Sequence, residues 1–112
     1  MDIEVNEYVR TKKGAVGKLI EIDKKATAYY LDCLKCVSLK NIVKHSKQLI
    51  DLIEIGDYVN GHLVEEVRIS CFDSSIFVHE YTIELHENDI KTILTKEQFE
   101  ANCYKVGGEE DE

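Results

Sequence analysis

Apolar residues in this chain come in short runs, often at alternate positions, separated by glycine, asparagine, aspartate and serine. That pattern predicts many short strands and little helix. The clearest alternation runs from His62 to Phe72. Leu63, Glu65, Val67, Ile69 and Cys71 fall on one face, and Val64, Glu66, Arg68, Ser70 and Phe72 on the other. The first face is the drier one, which makes Cys71 a core residue. Asp73, Ser74 and Ser75 supply a turn, and residues 76–85 return with Phe77, His79, Tyr81, Ile83 and Leu85 inward.

Earlier in the chain, Val5, Tyr8 and Val9 begin a strand that ends at the Lys12-Lys13-Gly14 turn. Val16 to Ile22 continues as a second strand, and Thr27 to Leu31 as a third. The stretch from Lys40 to Gly61 is the waist of the chain. It starts basic and then carries Leu49, Ile50, Leu52, Ile53 and Ile55. Ser38 is placed to cap a helical turn through Lys44. Gly56 and Gly61 favour reading Leu49–Ile55 as a strand bounded by turns. Near the end, Thr95-Lys96-Glu97-Gln98 is a capping-box pattern that predicts a short helix through about Asn102. Tyr104–Val106 reads as an edge strand.

An internal echo accompanies these elements. Glu7-Tyr8-Val9 and Asp57-Tyr58-Val59 repeat an acidic-Tyr-Val pattern fifty residues apart, each followed by a glycine-containing turn and an apolar strand. The pattern points to a mainly β (α+β) fold: a small, SH3-like, partly open antiparallel β-barrel with a short C-terminal helix. Residues 1–106 form a single globular domain in this reading, and residues 107–112 a flexible acidic tail.

Composition narrows the classes. At 112 residues, with 44% hydrophobic and 32% charged positions, the chain holds one modest core. It has no apolar run long enough to span a bilayer and no secretory signal pattern, so the expected location is cytoplasmic. The net charge of −8 is unevenly divided. Residues 1–48 hold ten Lys or Arg and six Asp or Glu, giving +4; residues 49–112 hold four and sixteen, giving −12. Such asymmetry bears on partners, unless the fold mixes the two halves in space.

Chemistry-bearing motifs are sparse. Cys33 and Cys36 have the spacing of half a zinc site, a possible zinc cofactor for which a second Cys-x-x-Cys is missing. No serine elbow, phosphate-cradling glycine loop or paired acid and base is present, so no enzyme activity is expected. Glu65, Glu66, Asp73, Glu80, Glu84, Glu87 and Asp89 make a candidate acidic partner-binding face. Arg10, Lys12, Lys13 and Lys18 make the alternative basic face, suited to nucleic acid.

Val5–Thr11, Gly17-Lys18, Asn41–Ser46, Ile50–Glu54, Gly56–Gly61 and Thr95–Phe99 together resemble short proteins encoded by phages and prophages of Firmicutes. The resemblance covers most of the chain apart from the middle hairpin and the tail. Typical members lack Cys33 and Cys36. Small acidic phage proteins of this kind are similar to inhibitors of host defence, anti-CRISPR proteins foremost. The resemblance implies a partner in the cytoplasm of an infected bacterium: a CRISPR effector whose basic surface is occupied by the acidic face, blocking nucleic-acid loading or activation. Direct nucleic-acid binding through the basic half, and a zinc-stabilised interaction domain, are the alternatives.

Overall fold

The computed structural model describes residues 3–32, 35–103 and 106. Its first antiparallel sheet contains β1 (Tyr8–Thr11), β2 (Val16–Asp23), β3 (Ala28–Leu31), β4 (Cys36–Ser38) and β5 (Ile42–Ser46), in the order β4-β3-β2-β1-β5. A 3-10 turn, Leu39–Asn41, separates β4 from β5. The second sheet contains β6 (Tyr58–Val59), β7 (His62–Arg68), β8 (Ser75–Val78), β9 (Ile83–Leu85) and β10 (Ile93–Leu94), in the order β10-β6-β7-β8-β9. Here too a 3-10 turn, Glu87–Asp89, separates the fourth strand from the fifth. Each fifth strand leads into helical structure. After β5 comes the 3-10 turn Leu49–Leu52, and after β10 comes helix α1 (Lys96–Asn102).

The mainly β, SH3-like architecture expected from the sequence is therefore observed, and its strand path is built twice. The backbone hydrogen bonds repeat in detail. Asn6 N donates to Leu19 O at 2.8 Å and Leu19 N to Glu7 O at 2.8 Å; in the second lobe Gly56 N donates to Val64 O at 3.1 Å and Val64 N to Asp57 O at 2.8 Å. Glu7 N reaches Glu4 O just as Asp57 N reaches Glu54 O. Asn6 and Gly56 take the same left-handed conformation, with φ of 82° and 101°. A register shift falls between Leu19 and Glu21 in one sheet and between Val64 and Glu66 in the other. The acidic-Tyr-Val echo falls at the same place in both lobes.

Each lobe has its own apolar centre. Val9, Leu19, Leu31 and Ile42 form one cluster; Ile50, Ile53, Val59, Val64, Ile76 and Val78 form the other. Ile50 and Ile53 lie at the join, between the end of β5 and the start of β6, and pack with the second lobe. Shielding of such aliphatic groups from water is the main stabilising term for lobes of this size.

Several local expectations are corrected. Leu49–Ile55 is not a strand. Glu87 accepts hydrogen bonds from Leu49 N (3.1 Å) and Ile50 N (2.8 Å), which caps a 3-10 turn and leaves Ile50 and Leu52 buried. The helical turn after Ser38 stops at Asn41 instead of Lys44, because β5 begins pairing with β1 at Ile42. In β7 the bulge at Glu65 changes which face points inward. Val64 and Val67 meet the core, Leu63 does not, and Cys71 and Ile69 lie exposed beyond the end of the strand. The long returning strand is broken. His79, Glu80 and Tyr81 are all left-handed (φ 56°, 56° and 67°), so Ile76 and Val78 face inward before the break, while Ile83 and Leu85 do so after it. His79 and Tyr81 are consequently exposed rather than core residues. Of the expected edge strand, Tyr104 and Lys105 lie outside the described residues, as does the whole expected acidic tail, residues 107–112.

Candidate functional site

The two lobes are joined through buried charge. Arg10 projects from β1 and is 1% exposed. Its Nη1 donates to Asp57 Oδ2 at 2.5 Å and to Leu52 O at 2.9 Å; its Nη2 donates to Asp57 Oδ1 at 3.0 Å and to Glu97 Oε1 at 2.7 Å. Asp57 also accepts from Glu54 N (2.8 Å) and Lys96 N (3.0 Å), so it fixes the turn before β6 and the first residue of α1 together. Glu54 bonds Lys44 Nζ at 3.1 Å and Lys96 Nζ at 2.9 Å. Burial alone would lift the Glu54 carboxyl; the Lys96 and Lys44 hydrogen bonds and the Arg10 charge outweigh it and hold it at about 2. Burial opposes the Arg10 cation, yet Asp57 and Glu97 more than offset it and raise its pKa. Arg10 is thus the internal fastening of the molecule. It does not belong to the basic face in which the sequence placed it.

The candidate acidic residues lie on the second lobe and fall into three groups. Glu66 and Glu84 flank Phe77 across β7, β8 and β9, and Arg68 lies over the Phe77 ring at 4.7 Å while bonding Glu66 at 2.8 Å. Beyond one end of this row, His86 Nε2 lies 3.3 Å from Asp73 Oδ2 and 3.5 Å from Glu84 Oε2, and its Nδ1 is 3.8 Å from Asp89 Oδ2. At the other end are Glu65, which accepts from Tyr81 N at 2.9 Å, and Glu80, which makes no hydrogen bond or ion pair among the described residues. Glu87 is occupied in capping the Leu49–Leu52 turn. Asp89 also accepts from His86 N at 3.0 Å. Exposed apolar side chains accompany these carboxylates. Phe72 is 95% exposed beside Asp73, and Tyr81 is 60% exposed beside Glu80. The strand alternation predicted from the sequence hid both: it assigned Phe72 to a strand and Tyr81 to the core.

On the first lobe, Lys12 and Lys13 border a cavity of about 290 Å³, together with Thr11, Ala15, Lys35, Val37 and Asn41. Lys18 lies elsewhere, 5.9 Å from the centre of the Tyr8 ring. Lys35 went unnoticed in the sequence because only the fold brings β4 beside the β1–β2 hairpin.

Cys36 is exposed at the start of β4, and its charge when ionised is the main cause raising the pKa of the neighbouring Tyr30 hydroxyl. Cys33 lies outside the described residues, so the pairing of Cys33 with Cys36 is not visible. Among the described residues, no group of three or more His, Cys, Asp and Glu side chains is placed to hold a metal ion. No helix among them is long and apolar enough to cross a membrane.

No protein-family model, curated protein or solved structure matches the chain.

Proposed function

We propose that this protein works by binding: it is a phage-type inhibitor of host defence, most concretely an anti-CRISPR, acting in the cytoplasm of an infected bacterium. Its second lobe occupies a basic surface of a CRISPR effector and blocks nucleic-acid loading or activation. One observation carries the reading. The charge division of the sequence coincides with the division between lobes, because β1–β5 come from the +4 half and β6–β10 with α1 from the −12 half. The halves are not interleaved, so among the described residues the negative charge, twelve Asp or Glu against three Lys or Arg over residues 49–103, is concentrated on one body. Such a surface attracts a cationic partner at long range and repels nucleic acid.

Of the seven acidic positions, Glu66, Glu84, Asp73 and Glu80 are the ones available to a partner, with Phe72, Phe77 and Tyr81 as apolar anchors between and beside them. Glu65, Glu87 and Asp89 chiefly hold the lobe's own turns. The test is inhibition of a Firmicutes CRISPR effector by the protein and by a variant carrying Asp73→Lys, Glu80→Lys and Glu84→Lys. Loss of inhibition and of co-purification in a variant that still folds is the expected result. Undiminished inhibition rejects the acidic-surface mechanism.

A further inference from the structure

The duplication exposes a difference between the lobes. From Tyr8 to Tyr58 the offset is 50 residues, but from Leu19 to Val64 it is 45, so the β1–β2 hairpin is five residues longer than the β6–β7 hairpin. In the second lobe, Asn60 closes the corresponding turn. Its Nδ2 donates to Asp89 O at 2.9 Å, and its Oδ1 accepts from Lys91 N (2.8 Å) and Thr92 N (3.1 Å). In the first lobe the longer hairpin stands over β4 and the 3-10 turn Leu39–Asn41, and the cavity opens between them.

Its walls are fixed. Lys12 N donates to Asn41 O at 2.9 Å, Thr11 N to Ala15 O at 2.9 Å, Gly14 N to Thr11 O at 3.0 Å and Ala15 N to Thr11 Oγ1 at 3.1 Å. Part of the insertion has a structural task, since Gly14 O accepts from Thr95 Oγ1 at 2.8 Å. That task does not use Lys12 or Lys13. Both are exposed, as is Lys35 across the cavity, and none of the three forms an ion pair among the described residues. Twenty-two Asp and Glu residues are available in this chain, yet three unneutralised lysines surround one concavity.

We propose that this cavity is a binding site for an organic phosphate of the nucleotide type. Three ammonium groups match the multiple charge of a phosphate or diphosphate better than that of a single carboxylate, and lysine binds phosphate as a mobile point charge. Ala15 and Val37 offer an apolar wall for the uncharged body of the ligand. The volume is near the lower end of small-molecule pockets, roughly 300 to 1,000 Å³, which suits one nucleotide unit. That unit could be free or part of a single strand, since the phosphate chemistry is shared. This site and the acidic lobe are independent of one another.

The probes are ADP and a fluorescent ten-residue oligothymidylate, titrated at 50 and 200 mM salt against the full chain. Lys12→Ala, Lys13→Ala and Lys35→Ala combined remove the site; Lys24→Ala with Lys25→Ala and Lys47→Ala removes the same charge elsewhere on the lobe. The expected result is binding that the first triple variant weakens at least tenfold and the second leaves within twofold. Binding of ADP identifies a free nucleotide as the source; binding of the oligonucleotide alone identifies a strand. Two outcomes overturn the proposal: no binding of either probe at 50 mM salt, or equal weakening by both triple variants.

Discussion

Arg10 and Asp57, 47 residues apart in sequence, form a doubly hydrogen-bonded pair in which the side chains are 1% and 0% exposed. Arg10 belongs to the first lobe and Asp57 to the second, and Asp57 stands where Glu7 stands in the first. The two acids have different partners. Glu7 contacts His45 Nδ1 at 2.5 Å within its own lobe, whereas Asp57 takes its cation from the other lobe. Of the two equivalent positions, only that of Asp57 joins the lobes.

Removing one partner of this pair leaves an uncompensated charge in the interior. Asp57→Asn and Arg10→Met should each destabilise the protein by about 3 to 5 kcal/mol in urea unfolding. Replacing both together should cost less than the sum of the single changes, because neither of the two fully buried charges is then left without the other. Additive losses would show that the pair contributes nothing beyond each residue's other contacts.

Glu54 gives the join a pH dependence. Its folded carboxyl titrates at about 2 rather than at the ordinary 4.5. A lowered folded value means that the stabilisation is fully present above 4.5 and is lost as the pH falls from there through 2. With Glu54 about one-quarter exposed, the contribution is on the order of 2 kcal/mol. The stability gap between the wild type and Glu54→Gln should therefore be constant near neutrality and close between pH 4.5 and 2. Denaturant melts across that range measure it; a gap independent of pH would exclude the carboxylate as its origin.

Gly14 should not tolerate a side chain. Its φ is +88°, and a Cβ there would collide with Thr95 Oγ1 and lie 2.8 Å from Glu97 Cβ. Gly14→Ala should cost about 2 kcal/mol or more, combining backbone strain with displacement of the helix start. Thr95→Ala should cost about 1 kcal/mol or somewhat more, since Thr95 Oγ1 both accepts from Gln98 N and donates to Gly14 O. Thermal melts rank them, with Gly61→Ala as the comparison: Gly61 also has positive φ, +85°, but its added Cβ would meet nothing within 4 Å.

Separate apolar cores by themselves allow two independent unfolding steps; the charged join argues for one. Opening either lobe strands Arg10 or Asp57 without its partner. Calorimetry should show a single transition with equal calorimetric and van't Hoff enthalpies. Two resolved transitions, or a stable fragment comprising residues 49–112 alone, would show that the join is weaker than its burial implies.

The sequence by itself determined the class of fold, the capping box at Thr95, the strands from Tyr8 to Leu31 and the two-sided charge. These depend on neighbours within a few residues: alternation, turn formers and an N-cap act locally. It also held the trace of duplication, though three matching residues cannot reveal a repeated strand order. The tertiary structure decided the rest. A bulge at Glu65 and three left-handed residues at 79–81 reset which side chains face inward, and this turned Cys71, His79 and Tyr81 outward against the alternation. Arg10 looked like one more cation among lysines until Asp57 was brought to it from 47 residues away. Lys35 joined Lys12 and Lys13 only around the cavity that folding encloses. Side-chain direction in a strand is fixed by pairing and not by composition, and a charge acquires its role from the partner that folding places beside it.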